Sequence, residues 1–160
     1  MKTLLPVLLV VGLGSCRPNG PTTSTREFQA LMHRLAEAWT TQNTDAALAC
    51  FTDDATYTQP PDQQFYQGRA QLKAYFGALK KGTTKRFHHL WFDETTQSGA
   101  GEFTFGSTTT RQGVTGVVVV SLHDGRIKTW REYFVKGPLD FDEFIATEGK
   151  NWKWHIGNYP

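Results

Sequence analysis

Two glutamates of this chain stand on strand-like stretches among aromatic residues, and both are candidates for holding or moving a proton. Glu132 lies in Gly-Arg-Ile-Lys-Thr-Trp-Arg-Glu-Tyr-Phe, residues 125–134, directly after the turn signal His123-Asp124-Gly125. Alternation along a strand puts Lys128, Trp130, Glu132 and Phe134 on one face and Ile127, Thr129, Arg131 and Tyr133 on the other. A carboxylate between Trp and Phe is costly to bury unless it is paired or used. The alternative is that Glu132 leans into solvent or pairs with a nearby Lys or Arg. Glu102 shares a face with Thr104, while Phe103 and Phe105 share the other. Such a carboxylate, held in apolar surroundings, is the usual material of general acid–base chemistry.

Other chemistries leave no trace. The sequence has no Gly-x-Ser-x-Gly elbow, no phosphate-binding loop, no zinc-type Cys pair and no dinucleotide fingerprint, so neither a cofactor nor a metal is expected. Seventeen basic residues against fifteen acidic ones leave a net charge of +2, and no nucleic-acid footprint is expected. The densest basic cluster, Lys80, Lys81, Lys85 and Arg86, reads as a solvated loop.

The elements that must position these residues follow in order. Ser24-Thr25-Arg26-Glu27 matches a capping box, and Phe28, Leu31, Met32, Leu35, Ala36 and Trp39 then form one helical stripe. A short helix through Ala46, Ala47, Leu48 and Phe51 is closed by Asp53-Asp54, and a brief strand spans residues 55–58. Phe65-Tyr66-Gln67-Gly68 leads into a third helix with Leu72, Tyr75, Phe76 and Leu79 on one face. Four long strands follow at residues 85–94, 100–110, 114–122 and 126–135, separated by Gly-containing turns that predict antiparallel neighbours. Val117 to Val120 is apolar on both faces, which predicts a central strand covered on both sides. A short helix with Phe141, Phe144 and Ile145 precedes a tail in which Trp152, Trp154 and Ile156 would share one face if extended.

Residues 1–15 read as a signal peptide: Lys2, then an apolar run from Leu4 to Leu13, too short to span a bilayer. Leu13-Gly14-Ser15-Cys16 resembles the bacterial lipobox, so Cys16 is the expected lipidation site, with an ordinary secretory signal or a membrane-anchoring N-terminus, and an incidental Cys, as the alternatives. The expected location is the bacterial cell envelope, with the chain anchored to a membrane through lipidated Cys16. Residues 16–23 form a tether, and residues 24–160 one domain with a C-terminal extension from about residue 138. Cys50 is then the remaining thiol and reads as a small buried hydrophobe.

Helices first and a curved antiparallel sheet afterwards is an α+β order. Leu35-Ala36-Glu37-Ala38-Trp39, Cys50-Phe51-Thr52-Asp53-Asp54-Ala55, Gly68-Arg69-Ala70-Gln71-Leu72 and Trp130-Arg131-Glu132-Tyr133-Phe134, in that order and spacing, resemble the SnoaL-like group of the nuclear transport factor 2-like superfamily. That resemblance implies a cone: a bent antiparallel sheet wrapped around the N-terminal helix, with a pocket inside. It implies a small hydrophobic ligand and a homodimer through the outer sheet face. Limonene epoxide hydrolases in the same superfamily have a similar last strand, and their catalytic aspartate falls on Glu132. Their Arg-x-Asp pair is missing from Glu102-Phe103-Thr104, the best match for its strand.

Within such a cone Glu102 and Glu132 could face one interior and raise each other's pKa. His88 or His89 would be their partner, one of the two facing inward. Trp39, Tyr57, Tyr66 and Trp130 are the expected ligand-binding wall. Two functions remain open: a domain that holds a hydrophobic ligand, or a cofactor-independent isomerase, cyclase or dehydratase using a pocket carboxylate.

Overall fold

The computed structural model describes residues 22–60 and 64–146. The capping box forms as the sequence predicts: Ser24 N donates to Glu27 Oε2 at 2.8 Å, and Glu27 N donates back to Ser24 Oγ at 3.4 Å. Helix α1, Thr25–Thr40, starts there and buries Phe28, Leu31, Met32, Leu35, Ala36 and Trp39, the whole predicted stripe. A two-residue turn leads to α2, Thr44–Ala49, whose Asn43 caps it by accepting from Ala46 N.

The chain then enters β1, Phe51–Gln59, which begins four residues earlier than the sequence indicates and takes in Asp53 and Asp54. Phe65 and Tyr66 belong to a short edge strand, β2, Gln64–Gln67, which pairs antiparallel with β1 before α3, Gly68–Gly77. Strands β3, Thr83–Asp93, β4, Ser98–Ser107, β5, Gln112–His123, and β6, Arg126–Pro138, follow as an antiparallel meander. Helix α4, Phe141–Ile145, is the last described element. The tail carrying Trp152, Trp154 and Ile156, the apolar N-terminal run and Cys16 lie outside the described residues.

The six strands form one sheet in the order β2-β1-β6-β5-β4-β3. It is antiparallel throughout except where β1 lies parallel to β6, Tyr57 opposite Trp130 and Thr58 opposite Arg131. This pair breaks the purely antiparallel expectation. Helix α3 carries the chain from β2 at one edge of the sheet to β3 at the other, and β1 runs beside β6 in the same direction. The sheet curls around α1 without closing, which gives the cone expected of the α+β order.

Its inner face is aromatic. Trp39, Trp130, Tyr57, Phe28, Phe51, Phe76 and Phe103 are all less than 2% exposed. Phe28 stacks on Phe92 at 4.5 Å between ring centroids, and a Cβ at Gly99 would stand 2.8 Å from the Phe28 ring and 2.6 Å from the Trp91 carbonyl. Only glycine lets α1 approach the sheet that closely. The opposite face of β5 departs from expectation. Val118 and Val120 are buried, but Val117 and Val119 on the outer face are 37% and 43% exposed, so this strand is central yet covered on one side among the described residues.

Candidate functional site

Trp130 and Glu132 project from β6 into the cone, as strand alternation requires, and β1 places Tyr57 and Gln59 beside them through the parallel register. Glu132 is 3% exposed and its two oxygens meet four donors. Oε1 accepts from Tyr57 Oη at 2.6 Å and from Gln59 Nε2 in a very short contact. Oε2 accepts from Lys85 Nζ at 2.9 Å and from Trp130 Nε1 at 3.1 Å. Those bonds use the acceptor sites of a carboxylate in full. Tyr57 spends its only proton on Glu132, so Tyr75 is the donor in the 3.0 Å bond between the two phenols.

Lys85 is the counter-ion. Its side chain is 1% exposed, and Nζ stands over the rings of Phe103 at 3.8 Å, Trp39 at 4.0 Å and Trp130 at 5.0 Å. Among the described residues its ammonium has one acceptor, Glu132, and otherwise faces ring surfaces. The last turn of α1 holds the strand in place: Thr40 Oγ1 donates to Ala36 O at 2.9 Å and accepts from Lys85 N at 3.1 Å. Trp39 Nε1 is buried and has no acceptor among the described residues.

The electrostatics follow from burial and pairing. Burial pushes the Glu132 carboxyl up, but the Lys85 ammonium and the bonds from Tyr57, Lys85 and Gln59 outweigh it, so its pKa lies below the ordinary value. Burial lowers the Lys85 pKa and Glu132 offsets only part of that. Burial, reinforced by the Glu132 charge, raises both Tyr57 and Tyr75.

The structure therefore brings together Glu132, Trp39, Tyr57 and Trp130. Tyr66 joins at the margin, its ring 5.9 Å from Tyr57 and 4.7 Å from Tyr75, with its hydroxyl bonded to Gln64. Glu102 and His88 do not share this interior. Glu102 lies opposite Val117, which lies opposite Tyr133, and that row is on the outer face; Glu102 pairs there with His89 at 2.7 Å. A β-bulge between Phe87 and His89 turns both histidines outward, against the expectation that one would face in. His88 stacks on Phe141 at 4.0 Å and bonds Thr104 Oγ1 at 3.0 Å, beside an outer cavity of about 460 Å³ roofed by α4. The carboxylate pair is replaced by a carboxylate–lysine pair.

Lys85, Gln59 and Tyr75 were not legible as site residues. Lys85 was assigned to a solvated cluster because three basic neighbours surround it. The available signal was its two-residue spacing from buried Phe87, on the inward phase of β3. The alternation Ala55, Tyr57, Gln59 would likewise have placed Gln59. Tyr75 was read as part of an ordinary helix face. Cys50 matches its reading: it is buried, burial raises its thiol, and Sγ lies 3.5 Å from Ala46 O. Among the described residues no group of three or more His, Cys, Asp and Glu is placed to hold a metal.

Comparison with known proteins places this geometry in context. The family model described as SnoaL-like domain matches residues 32–130, more than half of the chain. A protein with a cystatin-like fold from Methylobium petroleophilum is 18% identical, with a TM-score of 0.65 over 84% of this chain and 100% of that one. The epoxide hydrolase/cyclase-like enzyme SalBIII, which has a role in pyran ring formation in the polyether salinomycin, is 22% identical, with a TM-score of 0.61 over 71% and 96%. An LEH-like epoxide hydrolase from M. tuberculosis is 19% identical, with a TM-score of 0.58 over 69% and 80%. At these identities the likeness is one of fold. No curated protein matches the chain.

Removing one partner of the central pair strands a buried charge. Lys85→Met or Glu132→Gln alone should cost about 3–5 kcal/mol in urea unfolding, and the double variant far less than their sum. The sign with pH follows from Glu132, whose folded pKa lies below its unfolded value of about 4.3: its contribution is present above that value and is lost as pH falls through the folded one. The wild type should thus lose stability more steeply in acid than the double variant. Equal slopes, or additive single effects, would mean that the pair does not couple.

Proposed function

The chain belongs to the SnoaL-like domain family, and from that premise we propose that it holds a small hydrophobic molecule at the open end of its cone. The observation that carries this reading is an apolar rim above a saturated polar floor. Phe105 and Val114 face each other across β4 and β5, with Phe134 in the next row, and Tyr66, Tyr75 and Leu79 pack against the same core. All six are partly buried and pack against the core. Beneath them Glu132 meets four donors, Lys85 among them, and forms a polar floor.

A proton-transferring enzyme is the second reading. It is favoured by the hydroxyl chain Tyr75–Tyr57–Glu132, which reaches the carboxylate from a half-buried phenol, and by the activities named for SalBIII and the M. tuberculosis hydrolase. Native mass spectrometry of the purified protein separates the possibilities. A co-purified apolar molecule, retained by the wild type and lost in Phe134→Asp, is the expected result; an empty wild type that also fails to take up added apolar compounds would sink the ligand reading. Conversion of a captured molecule on incubation would favour the enzyme.

The chain is also proposed to be exported to the bacterial cell envelope and held there by lipidated Cys16, as Leu13-Gly14-Ser15-Cys16 implies. Expression with a clickable fatty acid should label the wild type in the membrane fraction. Cys16→Ala should lose both label and membrane association, and an unchanged variant would refute the anchor.

The outer sheet face is proposed as a homodimer interface. Trp91, Val119 and Phe65 lie in one cross-strand row, and Val117 and Tyr133 in the next; all are 37–55% exposed. These exposed apolar side chains offer a second copy a surface to pack against. Val119→Lys should shift sedimentation from dimer to monomer with little change in the circular dichroism spectrum. A monomeric wild type would refute the assignment.

A further inference from the structure

The interior carries an unusual amine. Lys85 is enclosed by ring faces of Trp39, Phe103 and Trp130, and its single acceptor is the Glu132 carboxylate at 2.9 Å. A solvated surface lysine stays protonated and unreactive, whereas a desolvated one beside a proton acceptor has a route to its neutral form. The proton need only move along the existing hydrogen bond to Glu132. The resulting neutral pair loses the desolvation penalty that two buried charges carry.

Phe105, directly opposite Lys85 in the β3–β4 register, is a partly exposed member of the rim. Its ring centroid is 5.9 Å from Lys85 Nζ, which puts a rim residue next to the amine. Trp39, whose ring the amine overlies, has an indole N–H without an acceptor among the described residues, a donor in the wall for an incoming oxygen. A basic amine, a carboxylate, a donor and apolar walls together match the requirements of a carbonyl group at the end of a hydrocarbon.

We propose that Lys85 captures the carbonyl carbon of an apolar aldehyde or ketone as a reversible imine, so that the cone holds its ligand covalently. The inference rests on the reading that the rim admits a hydrophobic molecule, and it names the class. Lys85 gives one proton to Glu132, and the nitrogen lone pair forms the C–N bond as the carbonyl π pair moves to oxygen. That oxygen takes the proton back from Glu132, giving a neutral hydroxyl while nitrogen keeps a positive charge and two hydrogens. Nitrogen then passes one proton to the hydroxyl through Glu132, water leaves, and the C=N bond forms as an iminium whose remaining proton returns to Glu132. Carbonyl and amine become imine and water with no oxidant or reductant, and hydrolysis reverses every step.

The test uses the purified full-length chain with nonanal and sodium cyanoborohydride, which reduces an imine to a stable secondary amine. Native mass spectrometry with 1-nonanol, which cannot form an imine, reports rim binding separately. The expected result is one adduct per chain, mapped by peptide sequencing to Lys85 and formed about tenfold faster than at exposed Lys80 or Lys81, because the bound carbonyl is held beside the amine. The double variant Lys85→Met/Glu132→Gln, which removes both charges together, should lose that adduct while keeping the wild-type circular dichroism spectrum. Bound 1-nonanol with Lys85 unmodified, or modified no faster than the surface lysines, would overturn the imine and leave the ligand reading intact. Failure of both probes to bind would overturn both.

Discussion

Everything inside the cone is arranged about one buried ion pair. Moving a carboxylate and an ammonium out of water costs several kcal/mol each even after relaxation, and their attraction compensates only with good geometry and further hydrogen bonds. This protein supplies those bonds. Tyr57, Gln59 and Trp130 fill the remaining acceptor sites of Glu132, and Tyr75 supports Tyr57 from behind. Lys85 lacks an equivalent set of acceptors and is met instead by aromatic faces, which attract a cation without demanding water. The two ends of the pair are therefore treated differently: the anion is saturated and the cation is only caged.

That demand fixes the rest of the architecture. Glu132 must reach Lys85 across the hollow of the sheet from β6 to β3, which are separated by β5 and β4 in strand order. A flat sheet would hold them apart, so the curl is a condition of the pair. Helix α1 fills the hollow and contributes Trp39 to the cage, while Thr40 clamps the backbone of Lys85. Glycine at position 99 lets Phe28 settle against the sheet at the other end of the helix. The parallel β1–β6 pair, the least expected feature of the topology, delivers Tyr57 and Gln59 to the carboxylate.

The outer face obeys a different logic. There Glu102, in the Val117–Tyr133 row, and His89, beside Trp91, form a partly exposed pair that stays in contact with water and needs no cage. The same chain thus carries two carboxylates, on the strands either side of β5, with opposite fates decided by the phase of the pleat. Glu132 lies opposite Val118 and Glu102 opposite Val117. One residue of phase separates core from surface.

Features governed by nearby residues were open to reading from the sequence. The capping box, the stripe of α1, the four long strands and their turns, and the common face of Trp130, Glu132 and Phe134 all follow from periodicities of a few positions. The order of those elements sufficed for the family resemblance, and through it for Trp39, Tyr57 and Trp130 as neighbours of Glu132. Tertiary structure alone decided that Lys85, 47 positions away in sequence, is the partner. A lysine among other basic residues looks like a solvated side chain until a curved sheet brings a carboxylate to it. The tertiary structure also decided the outward turn of His88 and His89, since a single bulge reverses the alternation on which their placement depended. Local patterns set which way a side chain points relative to its own strand. Which charge it meets is set by register and curvature, which depend on the whole sheet at once.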